Sequence, residues 1–257
     1  MNRPVLITGC QRSGTTLLSL MLDSHPMITS VDEVHFRPQH LKHYLNAPEF
    51  HPVVAFKLPG SAHEVDAFAR IPGGATVWCS RGARATVASM LTAKIATGDE
   101  QPVSWARHRL GAQREINACL NALKQQGRPL HPGAVETLQE LQSTGKRAAG
   151  RMLGVRAACW CWLLKMRMLR RSKKLGLAVH EVKYETLTSD PEGTMRELMV
   201  HLAVPWDPAV LQHHQSHRGQ VTGGTIADRA IDQRSVERWR SVLDENELSM
   251  VHSLIGQ

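Results

Sequence analysis

The chain opens on a short apolar run, PVLIT at residues 4–8, that closes on Gly9. An unbroken run of this length ending in glycine is the pattern of a strand buried on both faces of a parallel sheet. Beyond Gly14 the period changes. Leu17, Leu18, Met21 and Leu22 recur at helical spacing, and the helix they predict stops before Pro26. VVAFK at 53–57 and ATVWCS at 75–80 repeat the strand signal. The second leads into a helix over about 83–96, with Val87, Met90, Leu91 and Ile95 on one face. LAVHEVKY at 177–184 predicts a fourth strand, followed by a helix that Asp190 can cap and Pro191 can open. Strands alternating with helices predict an α/β fold, a three-layer α/β/α arrangement around a central, mostly parallel sheet.

Residues 97–175 carry no strand signal. Their helical patterns break at GRPLHPG and STGKRAAG, which predicts a helical insertion within one domain spanning 1–257. The last of these helices, AACWCWLLKMRMLRR, is apolar on one side and basic on the other. It reads as a core helix with a solvated basic edge. No internal repeat, low-complexity tract or Pro/Ser linker divides the chain.

Composition narrows the function. Apolar residues make up 42%, enough for a core, but aromatics are only 5%, so Leu, Val, Ala and Met must fill it. A formal net charge of +8 favours anionic partners. The basic residues are scattered except for Arg167–Lys174, where no aromatics are interleaved, so a nucleic-acid partner is not expected. Cys10, Cys79, Cys119, Cys159 and Cys161 form no paired framework and read as reduced thiols of a cytoplasmic protein. His213, His214 and His217 lack an acid or cysteine at ligand spacing, so they read as solvated loop histidines and no metal is expected. No secretory leader is visible. No run approaches the roughly 18 apolar residues of a membrane span, so no stable membrane insertion is expected.

The stretch GCQRSGTT, from Gly9 to Thr16, carries the most chemistry. Its two glycines have the spacing of a loop that wraps phosphate in backbone N–H groups ahead of a helix N-terminus. Thr16 takes the Ser/Thr position, but Thr15 stands where a nucleoside triphosphatase needs lysine. The strand 75–80 is followed by Arg81 instead of a magnesium-organising Asp. Two arginines, Arg12 and Arg81, therefore replace Lys and Asp, which suits a metal-free anion site. An ordinary strand-to-helix turn also favours Gly and Ser/Thr. The run of Arg12, Ser13, Gly14, Thr15 and Thr16 directly between strand and helix argues for the phosphate loop.

These residues resemble the sulfotransferases that use 3′-phosphoadenosine 5′-phosphosulfate (PAPS). GCQRSGTTLL is similar to their 5′-phosphosulfate loop and CSRGARATVASM to their 3′-phosphate segment. VKYETLTSDPEGTMRELMVHLAVPWDP is similar to their late strand-helix segment, and RAIDQRSVERWR to their C-terminal nucleotide-covering segment. The resemblance covers residues 4 to about 95 and 177 to about 240. Among these enzymes the pattern is closest to tyrosylprotein sulfotransferases, including the bacterial kind that acts on a peptide.

The resemblance implies PAPS as co-substrate, held by Arg12, Ser13, Gly14, Thr15, Thr16, Arg81, Ser89, Tyr184 and Arg229. The family pattern has Lys where Arg229 stands. It implies Glu33 as the base, with Arg12 and Lys57 as the catalytic cations, and an acceptor hydroxyl, foremost a peptide tyrosine. His35 and Gln39, with Arg37 between them, fall where the family places arginines for an acidic peptide, which weakens the case for an acidic acceptor. A small-molecule, glycan or lipid hydroxyl is the alternative acceptor, and a homodimer is compatible with the sequence. Asp32, beside Glu33, is expected to oppose its ionisation by like charge. Two other readings compete. A P-loop kinase lacks its lysine and Asp here, and a mere anion-binding module would need neither Glu33 nor Lys57.

Overall fold

The computed structural model describes residues 1–95, 101–145, 147–218, 221–222 and 225–256. The chain forms two compact units, Met1–Arg81 with Met168–Gln233, and Gly82–Arg167 with Arg234–Gln257.

The first unit begins with β1 (Arg3–Gly9), α1 (Thr15–Asp23), β2 (Ile28–Asp32), α2 (Leu41–Asn46), β3 (Val53–Lys57), α3 (Val65–Phe68) and β4 (Ala75–Ser80). The chain continues through the second unit as α4 (Ala83–Thr92), β5 (Lys94–Ile95), β6 (Val103–Ser104), α5 (Arg114–Gln125), α6 (Pro132–Ser143) and α7 (Arg151–Lys174). The end of α7 belongs to the first unit, which resumes with β7 (Val179–Lys183), α8 (Tyr184–Ser189), α9 (Pro191–His201), α10 (His213–Ser216), β8 (Val221–Thr222) and β9 (Thr225–Ile226). The second unit closes with α11 (Glu245–Ile255).

In the first unit five strands pair in the order β2-β3-β1-β4-β7, every pair parallel. Side chains alternate along a strand, and the sheet uses both faces. Val53 and Ala55 of β3 join Val5, Ile7, Val77 and Cys79 in one apolar cluster with Leu18, Met21 and Leu22 of α1 and Met195, Leu198 and Met199 of α9. Val54 and Phe56, between them in sequence, join Val31 in another cluster with Leu41, Tyr44, Leu45 and Phe68. A sheet covered on both sides explains why β1, β3 and β4 read as continuous apolar runs. Asp190 caps α9 by accepting the Gly193 N–H, and Pro191 takes the first turn, as the sequence predicts.

The second unit is mainly helical. Ile116, Cys119 and Leu120 of α5 and Leu138 and Leu141 of α6 are buried, as are Val155, Ala158 and Cys159 of α7. The breaks between α5, α6 and α7 fall where the sequence places them. Asp244 and Glu247 form a reciprocal cap on α11, and Glu247 also binds Arg151 Nε at 2.6 Å. All five cysteines are free and buried. Burial pushes the Cys119 thiol up to about 11, with Lys165 opposing, and the Cys159 thiol up to about 12, so both are held as inert thiols.

The structure departs from the sequence reading in several places. β2 was not predicted: its polar Thr29 and Ser30 and its edge position hide the signal. The helix expected over 83–96 ends at Thr92, where Ala93 turns extended and Ile95 enters the antiparallel β5–β6 ladder; Ala96 lies outside the described residues. That ladder also places Val103–Ser104 as a strand within a stretch expected to have none. Lys165 is not on a solvated edge of α7. It is fully buried and bonds Glu115 at 2.9 Å. His213 and His217 are buried as well, not solvated. Among the described residues no group of side chains suits a metal ion, and no helix is long and apolar enough to cross a membrane.

Candidate functional site

The parallel sheet brings Gly9, Asp32, Lys57, Ser80 and Lys183 to its carboxyl edge, the edge where open α/β sheets gather ligand-binding residues. The chain leaves β1 toward β3 and β2 and leaves β4 toward β7.

The first loop is Cys10–Gly14 in sequence, and glycine is needed at both of its ends. Gly9 has φ +138°, and a Cβ there would lie 2.1 Å from the Cys79 carbonyl oxygen of the adjacent strand. Gly14 has φ +93°, and its Cβ would lie 2.5 Å from Cδ2 of Tyr184. Arg12 itself adopts a left-handed φ of 69°. Such strain in a non-glycine residue persists where the surroundings fix it, often at ligand sites. Arg81 supplies that fixing: its Nη1 donates to the Arg12 carbonyl at 3.1 Å, and its guanidinium lies 4.4 Å from the Tyr184 ring centroid. Arg12, Gly14, Arg81 and Tyr184 thus meet around one turn.

The loop suits an anion. Gly14 begins α1 with no side-chain cap. Ser13 Oγ is buried and has no hydrogen-bond partner, and a buried unsatisfied hydroxyl calls for one. An uncapped helix terminus, an unsatisfied hydroxyl and the Arg81 guanidinium beside the loop together suit a phosphate-bearing ligand. Thr15 is buried and Thr16 half-buried at the head of the helix.

A second cluster forms one strand away. Lys57 is opposite Asp32 in the β2–β3 register and opposite Ile7 of β1. Its Nζ lies 2.6 Å from Asp32 Oδ2 and 3.5 Å from Glu33 Oε1, with side-chain exposures of 3%, 14% and 39% respectively. The Asp32 approach is an ion pair off the line of a hydrogen bond. The Leu58 N–H donates to the Ile7 carbonyl, and the Thr8 hydroxyl to the Leu58 carbonyl, so the end of β3 is tied to β1 just before the loop. The sequence reading paired Asp32 with Glu33 as like charges; the structure sets Lys57 between them.

The turn after Glu33 is tightly built. Arg37 Nη1 donates to the Val34 and Phe36 carbonyls, and Tyr44 Oη to the His35 carbonyl. His35, Arg37 and Gln39 are all exposed. Arg229 pairs with Asp232, and its backbone is hydrogen-bonded to His213. Ser89 is half-buried on α4, in the other compact unit from Arg81.

Residues 4–49, which hold the loop and Glu33, match the model of the sulfotransferase family. The sulfotransferase domain from the Synechococcus PCC 7002 olefin synthase superposes with a TM-score of 0.54 at 15% identity, covering 99% of this chain and 94% of that one. This is a sulfotransferase fold. A sulfotransferase domain from the curacin biosynthetic pathway gives a TM-score of 0.51 at 17% identity, covering 100% of this chain and 98% of that one. A mouse sulfotransferase complexed with PAP gives 0.50 at 11% identity, covering 98% and 82%. At these identities the likeness to sulfotransferases is one of fold. An uncharacterized protein of Aquifex aeolicus (strain VF5) is 25% identical over 245 residues, 93% of this chain; the chain spans 30% of that protein's length.

Proposed function

We propose that this chain is a PAPS-dependent sulfotransferase that sulfates a hydroxyl, foremost a tyrosine in a peptide or protein. One observation carries the reading: a buried lysine between two carboxylates, one strand from an arginine-bearing anion loop. Simple anion binding has no use for acids there, and a triphosphatase would put its lysine inside the loop.

PAPS supplies an activated sulfuryl group; transfer forms an acceptor O–S bond as the S–O bond to phosphate breaks. Arg12, the loop N–H groups and the hydroxyls of Ser13, Thr15 and Thr16 would hold the 5′ end. Arg81 would hold the 3′-phosphate, with Tyr184 and Arg229 beside the nucleotide. Lys57 offsets the negative charge that develops on the departing oxygen, the kind of preorganised charge that lowers such barriers most. Glu33 accepts the acceptor proton. The exposed turn with His35, Arg37 and Gln39 would meet the acceptor. Arg37 already holds two carbonyls of that turn, so its part in selecting acidic peptides is the weaker element of the reading.

The test is transfer of labelled sulfate from PAPS to a panel of tyrosine peptides, phenols and glycans. Wild-type protein transfers label, and Lys57→Ala and Glu33→Ala each lose about 100-fold or more in kcat. Transfer at the wild-type rate by Glu33→Ala removes the base assignment. Magnesium-dependent ATP turnover without sulfate transfer overturns the function.

A further inference from the structure

We infer that Asp32 is a positioning residue that takes the charge of Lys57 and so leaves Glu33 available as the proton acceptor. The inference rests on the sulfotransferase reading, in which Lys57 and Glu33 have opposite tasks. Left alone, a buried ammonium and a neighbouring carboxylate form an ion pair, and a carboxylate so held is a poorer proton acceptor. Here Lys57 has two carboxylates within reach. Pair attraction scales as the inverse of distance, so 2.6 Å against 3.5 Å favours Asp32 by about a third. Exposure widens the gap, since Glu33 is the better solvated and therefore the more screened of the two.

Asp32 also fixes where Glu33 stands. Its Oδ1 accepts the Val34 N–H at 3.1 Å, and its carbonyl accepts the His35 and Phe36 N–H groups, both at 2.9 Å. One carboxylate thus holds the cation with Oδ2 and the turn that carries the base with Oδ1. The strand register makes this possible, because Asp32 and Lys57 are directly opposite at the ends of β2 and β3. A glutamate at position 32 would carry its carboxylate one methylene too far for both bonds.

Asp32→Asn is the test, because the amide keeps an oxygen for Val34 while withdrawing the charge from Lys57. In a transfer assay it lowers kcat by about 10- to 100-fold while KM for PAPS changes less than about threefold, since the anion loop is untouched. A loss confined to KM, or no loss, overturns the inference. A second measurement needs no activity: the 1H–15N resonance of the Lys57 ammonium, observable only while the group is held. It persists in Glu33→Gln and is lost or moved in Asp32→Asn. The reverse pattern means that Glu33 holds the lysine, and the inference fails. Absence of sulfate transfer by the wild-type protein overturns the function alone, because the resonance experiment reports on Asp32 either way.

Discussion

Gly14→Ala tests the junction on which the anion loop depends. The residue has φ +93°, and a side chain in left-handed backbone costs about 1–2 kcal/mol. The added methyl would also sit 2.5 Å from Cδ2 and 3.2 Å from Cε2 of Tyr184, so the ring must move. That ring lies under the buried Arg81 guanidinium at 4.4 Å, and disturbing a desolvated cation–π contact costs about 1–2 kcal/mol more. The total is about 2–4 kcal/mol. For a chain of this size it lowers the thermal midpoint by about 4–16 °C. Calorimetry on Gly14→Ala, Tyr184→Ala and the double variant separates the two contributions. Removing the ring abolishes the clash but not the backbone strain, so the double variant is more stable than the summed losses predict, by about 1 kcal/mol or more. PAP binding, measured by titration calorimetry, weakens at least about tenfold in Gly14→Ala. Strict additivity in the cycle would refute the packing of Tyr184 on Gly14, and unchanged PAP affinity would refute the loop's role in holding the anion.

Two further outcomes concern stability. Burial, with His214 and His217 adding to it, lowers the His213 pKa to about 4, below its unfolded value near 6.5. The unfolded chain then binds a proton that the folded one refuses. The stabilising contribution is whole above about pH 6.5 and is lost as pH falls toward 4, on the order of 2 kcal/mol. Denaturation at pH 7 and pH 4 should show a smaller loss for His213→Gln than for wild type; equal losses would dismiss His213 as the source. In the second unit, Lys165→Met leaves the Glu115 carboxylate buried without its lysine and costs about 3 kcal/mol by urea denaturation, whereas Lys165→Met with Glu115→Leu recovers most of it. A single-variant cost under about 1 kcal/mol would contradict the burial of this pair.

Much of this was legible along the chain. Apolar runs without alternation located β1, β3 and β4, because a strand covered on both faces must be apolar throughout. The cap and proline at Asp190–Pro191 set the start of α9, because those interactions are local. The glycines of the loop were legible for the same reason: they answer to backbone conformation within a few residues. Once the resemblance was drawn, Glu33 and Lys57 followed from it, but their arrangement did not. The register of β2, a strand whose polar residues concealed it, places Asp32 against Lys57. Nothing near Lys165 announces that Glu115, 50 residues away, neutralises it in the interior. Tyr184 and Gly14, nearly the full length of the sheet apart in sequence, touch because β1, β4 and β7 are neighbours. The sequence by itself determined where backbone must be apolar, capped or glycine. The tertiary structure decided which charges share a site, because ion pairing acts through space between strands and leaves no period along the chain.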